Sequence, residues 1–342
     1  MMIRSFPLLR PHAGLRFLSL TVLVAALGCG GGQNGLGPGP ANGKPAFLAT
    51  IPAAGTSAYA INADAASNLV CVVNQGSNSI SLIDSSSDAI TNTIAVGSGP
   101  VGVSINAATG MAYVANSLDN TLSVVNTASG AEVATLATGA SPAAVSADPG
   151  TNRIFVANNG DSSVSVFDGA SNSLLATVAL GAAPDGIKVN STTGMVYVSS
   201  SAANAITVIS EASNQVTATI TVGYNSLGSP LAPAALAVDP GSNKIYVANR
   251  LGVVSVIDGT SNKVTAQIPV ANYPTGIAVD PSTHDVYVVS STASTVSVID
   301  GSANTVKSTA SVSPGSFGVA VNAPTNHVYV TSGNAIGVLQ GS

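Results

Sequence analysis

Thr275 to Asp300 read TGIAVDPSTHDVYVVSSTASTVSVID, and this stretch decides the fold. It holds three short runs, TGIAVD, DVYVVS and TVSVID, rich in β-branched residues and separated by Pro, Ser, Thr and His. Apolar side chains in VYVVS and TVSVID recur with period two, the spacing of a β-strand rather than of a helix. A fourth run of the same character is KVTAQIPV, Lys263 to Val270. Four short strands joined by tight turns therefore form the unit from which the chain is built.

Working outward, the unit repeats. One polar position recurs as Asp64, Asn106, Asp148, Asn190, Asp239, Asp280 and Asn322, at spacings of 42, 42, 42, 49, 41 and 42 residues. Seven copies of that length, each with four strands, predict an all-β, seven-bladed β-propeller with four antiparallel strands per blade. A solenoid needs one strand per short coil, and a helical repeat needs a period near 3.6. Neither fits.

The second-strand segments Ala112-Tyr113-Val114-Ala115-Asn116, Ile245-Tyr246-Val247-Ala248-Asn249 and Val328-Tyr329-Val330-Thr331-Ser332 resemble the YVTN β-propeller repeat of the YncE type. Flanking P-x-G-I-A-V-D-P and S-V-I-D-x-x-x-N segments recur in register, and the resemblance runs from residue 45 nearly to the end. It implies the same propeller fold.

Turn chemistry accounts for most polar residues. Four positions after the repeating Asp or Asn stand Asn68, Gly110, Asn152, Gly194, Asn243, His284 and Asn326, residue types that tolerate positive φ in a tight turn. Asp88, Gly130, Asn172, Asn214, Asn262 and Asn304 are expected to do the same between third and fourth strands. The strand-ending Asp84, Asp168, Asp258 and Asp300 are expected to accept hydrogen bonds from their own turns. The last copy stops at its third strand, Ala335 to Leu339, so its fourth is missing. Phe47-Leu48-Ala49-Thr50-Ile51-Pro52 matches the fourth-strand pattern, and the N-terminal strand is expected to complete blade seven.

Ahead of the repeats, Arg4, Arg10 and Arg16 precede an apolar run from Phe17 to Gly28, the pattern of an export signal. The run is shorter than the roughly 20 residues a spanning helix needs. Ala26-Leu27-Gly28-Cys29 resembles a bacterial lipoprotein signal, with Ala26 where that family usually has Leu. The resemblance implies lipid attachment at Cys29 and a place in the cell envelope (periplasm, outer membrane or cell surface); plain cleavage and release is the alternative. The expected organisation is a signal over 1–28, a Gly/Pro-rich tether over 29–44 and the propeller over 45–342.

Only 7% of the residues are charged. Without the signal, seven basic residues face fifteen acidic ones, a formal balance of −8. The bases Lys44, Arg153, Lys188, Lys244, Arg250, Lys263 and Lys307 are scattered singly, which argues against nucleic acid. Cys71 lies in an apolar strand, LVCVVN, and reads as a small buried hydrophobe. His284 and His327 are the only histidines after the signal. The first reads as a turn residue, and the second begins a strand and is expected to face solvent.

No nucleophile with a base beside it, no metal-ligand spacing and no cofactor motif rises above the repeat. The turns Asp148 to Asn152 and Asp239 to Asn243 each offer one carboxylate, too few for calcium. Two functions stay open. One is a non-catalytic, monomeric binding or scaffold module for a protein, peptide, carbohydrate or other small-molecule partner. The other is an enzyme of the lactonase or lyase kind, whose relatives gather acidic, His or Arg side chains at the channel mouth.

The residues just before each first strand, Tyr59, Val101, Ala143, Asp185, Ala234, Thr275 and Phe317, are expected to ring that mouth. Tyr59 and Phe317 become neighbours when the ring closes, Tyr273 lies in the next loop, and the insertion YNSLGSPLAP, Tyr224 to Pro233, elaborates another. Tyr59, Tyr224, Tyr273, Phe317 and Asp185 are thus the candidate ligand-binding residues. A plug of the channel by its aromatics is the competing reading.

Overall fold

The computed structural model describes residues 45–342; the expected signal, Cys29 and the expected tether lie outside them. The described strands form seven four-stranded antiparallel sheets. Six are built in sequence order, so blade one runs from Ala58 to Ala95 and blade six from Pro274 to Ser311. The seventh joins Ser316–Asn322, His327–Ser332 and Ala335–Gln340 to Ala46–Pro52 from the other end of the domain. Ala46 pairs with Gln340 and Pro52 with Ala335, with a bulge between Phe47 and Ala49. The ring closes as the sequence pattern predicts.

The two-residue period has a direct consequence for packing. In the second strand of blade one, Val70 and Val72 enter the cluster shared with blade seven, whereas Cys71 and Val73 enter the one shared with blade two. Seven such clusters, each drawn from two adjacent blades, make up the core. Strands buried on both faces in this way need apolar side chains at nearly every position, which explains runs such as VYVVS. Cys71 is fully buried among them, and burial pushes its thiol up to about 12.

Every predicted turn residue between first and second strands has positive φ, from 53° at Asn243 to 66° at Gly110. So does every one between third and fourth strands, including Asp88 at 53°. Asp84, Asp168, Asp258 and Asp300 each accept backbone N–H bonds from their own turns, as at Asp168 Oδ1 from Ala170 and Ser171. His284 sits at φ 62° with its Nδ1 2.7 Å from Asp239 Oδ2 of the preceding blade. Burial alone raises the Asp239 pKa, but the bonds from Ser242, His284 and Gly241 outweigh it and hold the carboxyl below its ordinary value.

His327 corrects the expectation. Its side chain is only 21% exposed and turned inward, with Nδ1 3.2 Å from Asp88 Oδ1 and 3.3 Å from the Tyr329 hydroxyl. Asp88 belongs to blade one, so this contact exists only because the ring closes.

First strands crowd one another around the axis. A Cβ at Gly276 would stand 2.6 Å from the Phe317 carbonyl oxygen of the next blade, and one at Gly318 2.7 Å from that of Tyr59. Glycine is required there by close approach, not by φ, which is why P-x-G recurs at the head of the repeat.

Candidate functional site

The inner strands enclose one channel of about 610 Å³. All seven residues expected at its mouth line it. Their placement differs in one detail: six are the second residue of the first strand, which begins one position earlier, as at Pro100, Pro142 and Pro274. Only Asp185 precedes its strand, Gly186–Asn190. Proline opens a strand readily because its missing N–H is not needed by the ladder.

Tyr59 and Phe317 stack with ring centroids 3.9 Å apart and planes 23° apart. Such a pair contributes about 0.5–1.5 kcal/mol beyond the area it buries. Burial raises the Tyr59 pKa, and the Arg250 charge partly opposes the rise. Arg250 Nη2 lies 3.3 Å from Asp185 Oδ1, and Asp185 Oδ2 accepts the Ser201 N–H at 2.7 Å. The Asp185 side chain is 18% exposed and that of Arg250 42%, so the carboxylate is largely enclosed while part of the guanidinium stays open to solvent. With the guanidinium still open to solvent, such a pair adds little stability, about 0–1 kcal/mol, and acts mainly by fixing where the charge sits.

Tyr273 and Tyr224 do not join this group. Tyr273 is 47% exposed in the loop ahead of blade six, at φ 60°, the position where blades one, two, three, five and seven have Ser57, Gly99, Ser141, Ala232 and Gly315, all with positive φ. Tyr224 is 58% exposed and bridges Pro230 inside the insertion. Neither lines the channel.

Two further charged residues line the channel that the sequence reading did not place there, Arg250 and Lys188. Arg250 follows the second strand of blade five and meets Asp185 across 65 residues of chain. Its signal is positional: it takes the place held by Ser117 and Asn159 in blades two and three, which also line the channel. Lys188 stands in the middle of the inner strand GIKVN of blade four, where a charge breaks an otherwise small or apolar pattern. Burial lowers its pKa.

The lining thus offers small, aliphatic and neutral polar side chains, a stacked aromatic pair, one ion pair and one further ammonium. Its single carboxylate is engaged by Arg250 and Ser201. Among the described residues no group of three or more His, Cys, Asp and Glu comes close enough to hold a metal ion.

A family model for the YNCE-like beta-propeller matches residues 41–231. No curated protein matches the sequence. Among solved structures, a chain of Kuenenia stuttgartiensis hydrazine synthase superposes with a TM-score of 0.72 at 16% identity, over 85% of this chain and 97% of that one. At that identity the likeness concerns the fold alone.

Proposed function

Because this chain belongs to the YncE-like β-propeller family, we propose that it works without chemistry of its own, as an exported, envelope-located binding or scaffold module using the channel mouth. The observation that carries this reading is the composition of that mouth. The Tyr59–Phe317 stack offers a flat apolar surface, and the Arg250 guanidinium, partly open to solvent, lines the same channel. Strands hold the two rings and Asp185 fixes the guanidinium, which keeps the entropic cost of binding low.

Mass spectrometry of what stays bound to the protein purified from its native envelope tests the proposal. We expect a molecule retained by the wild type and lost from the Tyr59→Ala/Phe317→Ala variant at unchanged Tm. Equal retention by the variant, or a large drop in Tm with retention unchanged, makes the stack a packing element and removes the site.

Anchoring is proposed on the sequence alone, through lipid on Cys29 and a tether over 29–44. Cys29→Ala should abolish fatty-acid labelling and release the protein from the membrane fraction; an unlabelled wild type means simple secretion.

A further inference from the structure

Lys188 has no counter-charge. None of the four ion pairs among the described residues includes it, and the one carboxylate lining the channel, Asp185, is already held by Arg250 and Ser201. An ammonium drawn into a channel without an anion is unfavourable, and burial lowers the pKa of this one accordingly. The other titratable groups lining the channel are Tyr59 and Arg250, neither of which brings negative charge at neutral pH.

The backbone around Lys188 is biased the same way. At its strand position, blades one to three carry Asn62, Ser104 and Ser146. Each side-chain oxygen accepts an N–H from the first strand of the next blade: Ile105 at 2.9 Å, Ala147 at 3.0 Å and Val189 at 3.1 Å. Blades four to seven carry Lys188, Ala237, Ala278 and Ala320, none of which can accept a hydrogen bond. The matching N–H groups belong to Val238, Val279, Val321 and Ala63, and all four of these residues line the channel; of the three capped residues, Val189 lines it and Ile105 and Ala147 do not. One side of the ring has its inner-edge donors capped by side chains. The other side carries an ammonium and donors with no such cap.

From this geometry we propose that the Lys188 side of the channel binds a small organic carboxylate, its anionic head on Lys188 and its apolar body against the aliphatic inner-strand residues that line the channel. Lys188 lies three strand positions deeper than the mouth ring, roughly 10 Å at the rise of a strand. An organic carboxylate brings an apolar body that aliphatic lining residues such as Ile187, Leu236 and Val238 can cover, which inorganic phosphate lacks. The proposal deepens the binding reading above and rests on it.

Titration calorimetry with 4-phenylbutyrate, its uncharged amide and inorganic phosphate, against the wild type and Lys188→Met, Lys188→Arg and Arg250→Gln, tests it. We expect the carboxylate to bind the wild type, the amide to bind at least about tenfold more weakly, and Lys188→Met to lose about tenfold or more in affinity, equivalent to about 1.4 kcal/mol. Lys188→Arg should retain most of the affinity, since it keeps the charge, and it guards against a Met variant that fails to fold. Arg250→Gln, which alters the mouth but not the anion's own partner, should lose less affinity than Lys188→Met. Equal binding of acid and amide, binding of phosphate alone, or loss in Arg250→Gln but not Lys188→Met overturns the proposal. No binding of the carboxylate to the wild type also overturns it. If the native partner is still retained in that case, only the carboxylate falls and the module reading stands.

Discussion

Glu211 shows how a single side chain adapts to a repeat that surrounds it. It follows the third strand of blade four, where Gly169, Gly259, Gly301 and Gly341 stand in four other blades. In three of these, a Cβ on the glycine would come 2.7 to 3.2 Å from a tyrosine hydroxyl of the preceding blade: Tyr113 over Gly169, Tyr246 over Gly301 and Tyr287 over Gly341. Blade three has Phe155 in place of tyrosine, and without the hydroxyl a larger residue fits. The Glu211 carboxyl accepts a hydrogen bond from Thr151 Oγ1 and faces Asp148, whose Oδ2 is buried with no donor. Burial raises the Glu211 pKa, and the Asp148 carboxylate adds to the rise. Because the folded state then holds this proton more tightly than the unfolded chain, stability falls as pH rises from the ordinary carboxyl range through the raised folded value. Glutamine in its place does not titrate, and its amide can donate to Asp148 Oδ2 while still accepting from Thr151. Glu211→Gln should therefore raise Tm by a few degrees at pH 8, with the gain shrinking toward pH 4. Thermal melts across that range decide it; a lower Tm at pH 8 or a pH-independent difference refutes the assignment.

At the scale of strands and turns, the repeat made most of the fold legible. Asn, Gly and Asp at fixed offsets announce positive φ because few residue types tolerate it, and all thirteen positions read this way adopt it. A further set, between second and third strands, was less visible. It consists of Asn78, Asn120, Ser162, Asn204, Gly252, Ser294 and Gly333, and two of the seven are serine, which gives a weaker signal. The site was legible only in part. Tyr59 and Phe317 share a strand position, so register alone brings them together. Arg250 with Asp185, and His327 with Asp88, come from different positions in different blades. Such contacts depend on how far each loop leans toward the axis or the neighbouring blade, which an offset in a repeat does not encode. Lys188 was visible as a charge, but its isolation emerges only when seven strands face one another.

For the whole molecule, the energetics turn on one strand. Ala46–Pro52 supplies the outer ladder of blade seven, and Ala53 N and Ser57 N donate to Asn334 O and Oδ1 at 2.9 and 3.0 Å. Inside that ladder Ile51 is buried in the cluster shared by blades seven and one, together with Tyr329 and Val338. Phe47 and Leu48 on the same strand are largely exposed. Closure therefore combines a sheet edge capped by hydrogen bonds with one apolar side chain that joins the two ends of the ring. Ile51→Ala removes the second without the first and should cost about 2–5 kcal/mol, whereas Leu48→Ala should stay within about 0.5 kcal/mol. Deleting residues 45–55 removes both, leaves the Ala335–Gln340 edge open to other chains, and should produce aggregation or a large loss of stability. Denaturant unfolding and light scattering measure these outcomes. A deletion variant that stays monodisperse with an unchanged Tm means that blade seven is self-sufficient and that the strand merely decorates it.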